Sequence, residues 1–126
     1  MASNFSEQSQ RRRTPQRLFD ELAVDHLDLP GISRATMFGS DGLRLDTKFF
    51  AFVGRDGQLI IKLPAAQAAA LVAAGEANPV RAGRGTMREW IGIPSPADHA
   101  HADHWRTLIT DACRYSASLA PSPTER

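Results

Sequence analysis

The sequence predicts one α+β domain, a mostly antiparallel sheet with flanking helices in the order α-β-β-β-β-α-β-α. Three observations support this fold class. Residues 37–64, MFGSDGLRLDTKFFAFVGRDGQLIIKLP, contain short apolar runs separated by tight-turn signals. An alanine-rich helical stretch follows at once, and an amphipathic segment occupies residues 98–113. Strands joined by hairpins, rather than separated by helices, are typical of α+β folds and not of doubly wound sheets.

Length and composition fit this assignment. A chain of 126 residues corresponds to one domain. Its formal charge of +1 predicts no global field that would attract nucleic acid or a membrane. Residues 1–13 are polar and end in three arginines, so they are predicted to be a disordered basic tail. Residues 119–126, LAPSPTER, are predicted to be a second disordered tail, which leaves residues 14–118 as the domain.

The first helix is predicted to begin with Thr14 as the N-cap and Pro15 as the first helical residue. Apolar positions then recur at helical spacing and define one buried face. These positions are Leu18, Phe19, Leu22, Ala23, His26 and Leu27. The helix is expected to stop before the breaker pair Pro30-Gly31.

Four strands are predicted to follow. The first covers residues 32–38 and ends in a loop at residues 39–42. The second is centred on residues 43–45, where apolar and charged residues alternate. A turn at Asp46-Thr47 leads into KFFAFV, and Asp56-Gly57 forms the hairpin turn before QLIIKL. The side chains expected to face the core are Phe50, Phe52, Leu59 and Ile61, with Lys48 and Lys62 outward or at the edges.

The C-terminal half is predicted as helix, strand and helix. Pro64 opens an alanine-rich helix that ends at Gly75, a residue suited to the left-handed C-terminal position. Residues 78–86 form an irregular connection, and residues 87–93 form the last strand. The final helix starts near Asp98. Its apolar stripe consists of Trp105, Leu108, Ile109, Ala112 and Cys113.

This pattern resembles the N-terminal domain of the TfoX/Sxy family, within the wider MmcQ/YjbR-like group. The resemblance covers residues 17–115 and rests on the run MFG…GL…KFFAFV…DGQL…KLP between Met37 and Pro64, with a weaker match at residues 87–94. The family hairpin between the second and third strands often carries a glycine, where this chain has Asp46-Thr47. The resemblance implies a non-enzymatic binding or regulatory module that engages a protein partner, because the family is named for a regulator of gene expression.

A basic and aromatic surface is the predicted binding site. Arginines lie around the glycines of AGRGTMREW, where a flexible backbone permits close approach of an anion. The predicted surface consists of Lys62, Arg81, Arg84, Arg88 and Trp90. An alternative is weak nucleic-acid binding through this surface and Arg11, Arg12 and Arg13.

A second alternative is a metal protein or enzyme that uses His99, His101 and His104, in DHAHADHW. Imidazole and carboxylate groups suit zinc or nickel, but the spacing matches no established site, and Asp98 also suits a helix N-cap. Cys113 lies on the apolar stripe and is interpreted as a core residue rather than a nucleophile. No catalytic residue and no cofactor is therefore predicted.

The sequence also predicts compartment and assembly. A single cysteine excludes an internal disulfide, and the polar start MASNFSEQSQ does not resemble a secretory signal. No apolar run reaches the roughly 20 residues that span a bilayer. We therefore expect a cytoplasmic protein without a membrane segment. An exposed sheet edge is compatible with a monomer or a homodimer.

Overall fold

The computed structural model describes residues 4–37, 40–54, 56–82, 85–96 and 102–119. These residues form an α+β domain in the predicted order, with one additional strand, so the predicted fold class is confirmed. The helices are α1 (Asn4–Ala23), α2 (Ala65–Ala73) and α3 (Ala102–Leu119), and a short 3-10 helix covers Val24–His26. The strands are β1 (Ile32–Met37), β2 (Ser40–Leu45), β3 (Lys48–Val53), β4 (Leu59–Lys62), β5 (Asn78–Ala82) and β6 (Gly85–Ile93).

All strands belong to one sheet with the order β1-β2-β3-β4-β6-β5. Every neighbouring pair is antiparallel. Because β4 and β5 both run antiparallel to β6, they are parallel to each other, and α2 connects them across β6. Strands β1 and β5 are the sheet edges.

The core lies between one face of the sheet and the helices. Helices α1 and α3 contact the central strands, and α2 packs on β6. Gln67 of α2 donates a hydrogen bond to Asp111 of α3 (3.1 Å), and Ala68 of α2 belongs to the core, so α2 lies on the same side as α3. The predicted stripe of α3 is buried throughout, and the indole N–H of Trp105 donates to the Pro94 carbonyl (3.0 Å).

Helix α1 differs from its prediction. It begins at Asn4 rather than Thr14, so that Pro15 lies inside it and residues 4–13, predicted as a disordered tail, are helical. Proline removes one backbone hydrogen bond, but the residues before it, EQSQRRR, mostly have good helix propensity. The predicted face is confirmed after Pro15, where Leu18, Phe19 and Leu22 are buried.

Helix α2 ends as predicted at a left-handed glycine. Gly75 has φ +78, its N–H donates to the Val72 carbonyl, and the Glu76 N–H donates to the Leu71 carbonyl (both 3.0 Å). This pair of bonds is the Schellman motif, which satisfies carbonyls that a helix end leaves unpaired. At the other end Pro64 is the N-cap, with ψ 141, rather than the first helical residue.

A bulge in β3 overturns part of the predicted inward set. Leu43 pairs with Ala51 and Arg44 pairs with Phe49, so Phe50 has no partner on β2. Two consecutive residues, Phe50 and Ala51, are therefore buried, and the alternation changes phase. The prediction that Phe52 faces the core is wrong for this reason, whereas the predictions for Phe50, Leu59 and Ile61 are confirmed.

The prediction of an irregular connection at residues 78–86 is also wrong. Residues 78–82 form β5, which pairs with a β6 that begins at Gly85. Pro79 resembles a strand breaker in sequence, but proline is tolerated on an edge strand, where one side of the ladder is open. Strand β2 likewise begins at Ser40, inside the predicted loop. The predicted start of the last helix at Asp98 lies outside the described residues.

The turn between β2 and β3 lies where it was predicted. Asp46 adopts φ 55, and its N–H donates to the Gly31 carbonyl (2.8 Å). Aspartate tolerates the left-handed region better than most residues.

Candidate functional site

The structure divides the predicted binding surface into two parts. Lys62 and Trp90 are direct partners across β4 and β6. Arg88 is exposed on β6, and Arg81 is exposed on the edge strand β5. Arg84 lies outside the described residues. Two neighbouring surfaces result, one on the sheet and one beside α2.

The first surface is the side of the sheet that faces away from the helices, which we call the open face. Residues directly opposite each other on neighbouring strands share a face. The registers Arg44–Phe49, Phe52–Ile60 and Lys62–Trp90 place six larger side chains there. All six are partly exposed, and none belongs to the buried core. The described helices all pack on the other side, so in this part of the chain no helix covers the open face.

Two glycines shape the open face. A Cβ atom on Gly42 would lie 2.8 Å from the Phe52 Cβ and 3.2 Å from a ring carbon of Phe49. A Cβ atom on Gly92 would lie 3.3 Å from the Ile60 side chain and 2.9 Å from the Gln58 amide oxygen. The side chains of Phe49 and Ile60 therefore lie close over backbone that carries no side chain of its own.

Aromatic side chains meet at the centre of the open face. The rings of Phe52 and Trp90 have centroids 6.0 Å apart and planes inclined by 54°. This separation is within the range of favourable aromatic pairs. Phe49 precedes Phe52 by three residues on β3. Phe52 and Trp90 thus form an aromatic pair that spans β3 to β6, and Phe49 lies on the same face.

The charged residues that register places on the open face are both cations. Arg44 is the direct partner of Phe49 across β2 and β3, and it donates through Nε to the Ser33 hydroxyl of the neighbouring edge strand β1 (3.1 Å). Lys62 Nζ lies 4.0 Å from a carboxylate oxygen of Glu89. The hydroxyl of Tyr115 on α3 also donates to Glu89, which ties this carboxylate to the helical side. In the registers of the described strands β1 to β4 and β6, no aspartate or glutamate is placed on the open face.

The second surface is an apolar groove between α2 and the β5–β6 hairpin, which we call the α2 groove. It has a volume of about 590 Å³. Small residues of α2 form one wall, and Pro79, Met87 and Ile91 form most of the other. Arg88 and Trp90 border it as well. Met87 is 39% exposed.

Two titratable groups have raised pKa values. The hydrogen bond that Tyr115 donates to Glu89 raises the pKa of the phenol, and partial burial and the negative charge of Glu89 add to this effect. Burial raises the pKa of the Cys113 thiol, and the nearby Arg114 charge opposes this weakly. The predicted burial of Cys113 is confirmed. Neither residue lies on the open face or in the α2 groove.

The predicted histidine cluster is only partly within the described residues. His104 lies exposed on α3, with Nε2 3.8 Å from a carboxylate oxygen of Glu76. His99 and His101 lie outside the described residues. Within the described ranges, no three His, Cys, Asp or Glu side chains are close enough to hold a metal ion.

Sequence reasoning found Lys62 and Trp90 but missed Phe49, Phe52 and Arg44. Plain alternation already places Phe49 on the face opposite Phe50, which was the available signal for Phe49. Phe52 had no such signal, because the bulge at Phe50 reverses the alternation that follows it. No local sequence pattern could predict the α2 groove, because its two walls come from separate segments, α2 and the β5–β6 hairpin, that come together only in the folded protein.

Comparisons with known proteins add no family assignment. No family model matches this chain, and no curated protein matches it. The resemblance to the TfoX N-terminal domain therefore stays a prediction. In the described part of the chain, none of the helices has both the length and the apolar character needed to cross a bilayer.

Proposed function

We propose that this protein is a non-enzymatic binding module that engages a protein partner through the α2 groove. The observation that carries this proposal is an apolar groove of about 590 Å³ that is bordered by an exposed methionine and an arginine. Grooves of this kind accept apolar side chains, and methionine adapts to different shapes. The family resemblance, which implies a regulatory module, supports the same conclusion.

The partner segment is proposed to be an amphipathic helix with small apolar anchors and a carboxylate. The groove wall on α2 consists of alanines and one valine, so a second helix approaches it closely. An amphipathic helix in an apolar groove is a common mode of peptide recognition. The exposed cations Arg81 and Arg88 lie on the β5–β6 side, which favours a carboxylate at that edge of the segment.

Photo-crosslinking from a defined position tests this proposal. A photoreactive amino acid replaces Ala69, an exposed residue in the groove wall, and in a control it replaces Thr107, an exposed residue of α3. The partner peptide that crosslinks to position 69 but not to position 107 is then synthesised, and its affinity for the protein is measured by fluorescence anisotropy. We expect Ala69→Glu to weaken binding by at least about tenfold, because it fills the groove and adds a like charge.

Charge reversal provides the matched comparison. Arg88→Glu is expected to weaken binding of the same peptide. Arg106→Glu, on the exposed side of α3, is expected to leave the affinity for the peptide unchanged. Identical crosslinks from positions 69 and 107 would contradict the proposal. An unchanged affinity in Ala69→Glu, with the variant folded by circular dichroism, would do the same.

A further inference from the structure

We infer that the open face is a second binding surface, which takes single-stranded nucleic acid by stacking unpaired bases on Phe49, Phe52 and Trp90. This surface lies on the sheet, across from the helical layer, and its ligand class differs from the protein partner proposed for the α2 groove. The inference rests on two features of the described residues: the placement of the aromatic rings and the cations that share their face.

The aromatic placement suits bases rather than a protein core. Phe52 and Trp90 lie on β3 and β6 with centroids 6.0 Å apart, and Phe49 lies on the same strand as Phe52. Some sheets that recognise RNA stack two or three bases on their aromatic residues. The three rings of the open face are partly exposed, which leaves ring surface free for such contact.

The charges favour a polyanion. Arg44 is the register partner of Phe49, and Lys62 is the register partner of Trp90, so two cationic residues share this face with the rings. The strand registers place no carboxylate on this face, but Lys62 Nζ lies 4.0 Å from Glu89, and the Asp56 carboxylate lies near Ile60 at the edge of the face. A nucleic-acid backbone offers negative charge at regular intervals, which both cations can contact.

Stacking on exposed rings selects single strands over duplexes. Bases within a duplex are stacked on each other and do not offer their faces to protein rings. A single strand offers every base face, and such stacking tolerates any sequence.

Fluorescence anisotropy with a labelled oligothymidylate tests this inference. The oligonucleotide has about twelve residues, within the range of known single-strand sites, and a duplex of equal length is the comparison. We expect saturable binding of the single strand at low salt and weaker binding of the duplex. Quenching of Trp90 fluorescence is expected on binding, while the buried Trp105 retains its emission.

Variants separate stacking from simple charge attraction. Phe52→Leu and Trp90→Leu keep an apolar side chain over the sheet and remove the ring, and each is expected to weaken binding by about tenfold. Leu29→Ala, at an exposed apolar position remote from the sheet face, is the control and leaves affinity unchanged. Lys62→Gln and Arg44→Gln are each expected to reduce the slope of log affinity against log salt by about one, whereas Arg106→Gln does not.

Three outcomes would overturn the inference. The first is no binding of the oligothymidylate at low salt. The second is equal affinity for single strand and duplex. The third is full affinity in folded Phe52→Leu and Trp90→Leu variants, with binding lost when Arg11, Arg12 and Arg13 are replaced by glutamine in the full chain. Failure here leaves the α2 groove unaffected, because its test uses a peptide and the Ala69 position.

Discussion

The rings of Phe52 and Trp90 lie 6.0 Å apart although a complete strand, β4, separates the strands that carry them. They meet above β4, where Ile60 is the direct partner of Phe52 and Lys62 is the direct partner of Trp90. The bulge at Phe50 makes this contact possible, because it turns Phe52 away from the core. One unpaired residue thus converts a predicted core ring into part of an aromatic surface.

The Phe52–Trp90 contact should be measurable as a coupling free energy. In a double-mutant cycle with Phe52→Leu, Trp90→Leu and the double variant, we expect a coupling of about 0.5–1.5 kcal/mol in the free energy of unfolding. Urea denaturation followed by circular dichroism measures it. Phe52→Leu combined with Leu29→Ala is the control pair and should be additive, since Leu29 lies in a loop before β1. Additivity of Phe52 with Trp90 would show that the rings do not interact.

Gly42 is expected to tolerate no side chain. Gly42→Ala would place a Cβ 2.8 Å from the backbone oxygen of Ala51, so the β2–β3 pairing must shift. We expect the free energy of unfolding to fall by about 1–3 kcal/mol. Gly85→Ala is the matched control, because no heavy atom lies within 4 Å of the added Cβ, and its effect should stay within about 0.5 kcal/mol. Thermal and urea denaturation compare the two, and equal stabilities would contradict the crowding at Gly42.

Tyr115 should ionise above its ordinary pKa of about 10. It is the single tyrosine of the chain, so tyrosinate absorbance in an alkaline titration reports this residue alone. Because the hydrogen bond to Glu89 is the largest cause of the raised pKa, Glu89→Gln should lower the titration midpoint. Asp103→Asn, which removes a carboxylate from the exposed start of α3, should not.

The same shift has a consequence for stability. A raised pKa means that the folded state favours the neutral phenol, so this contribution is fully present below the ordinary pKa of tyrosine. It is lost as the pH rises through the higher folded-state pKa. Urea denaturation across the alkaline range should therefore show a steeper loss of stability in wild type than in Glu89→Gln. If the free energy of unfolding has the same pH dependence in wild type and in Glu89→Gln, the Tyr115–Glu89 hydrogen bond does not contribute to this loss of stability.

Cys113 should react slowly in the folded protein. Burial raises the pKa of its thiol, and the thiolate is the reactive form, so both access and ionisation oppose modification. We expect alkylation near neutral pH to be slower than in denaturant by at least about tenfold. A Cys113→Ser, Ala117→Cys variant is the control, since Ala117 is exposed one turn later on α3. Equal rates at the two positions would contradict the burial of Cys113.

Much of the fold was predictable from local signals. Asp56-Gly57 and Asp46-Thr47 mark the turns at which the strands reverse, and Gly75 marks the end of α2. The stripe from Trp105 to Cys113 identified the buried face of α3 correctly. These features depend on residues within a few positions of each other, such as a left-handed glycine or side chains one helical turn apart. Sequence alone contains that information.

The failures share a physical cause. Proline signals at Pro15 and Pro79 were interpreted as a helix start and an irregular connection, yet a helix and an edge strand accommodate them. For Phe52, the strict alternation of a strand was assumed, and the bulge at Phe50 broke it. For Pro79 and Phe52 the pairing with neighbouring strands determines whether the local preference prevails, whereas around Pro15 the helix propensity of the preceding residues does.

The sequence by itself determined the α+β class, the order of the elements and most of the buried residues, because periodicity and turn chemistry act over short distances along the chain. The tertiary structure decided which side chains share a surface. Lys62 meets Trp90, Phe52 meets Trp90, and Arg44 lies beside Phe49, each through the pairing of different strands. Register and bulge position depend on how the whole sheet packs against its helices, so both surfaces become visible only in the fold.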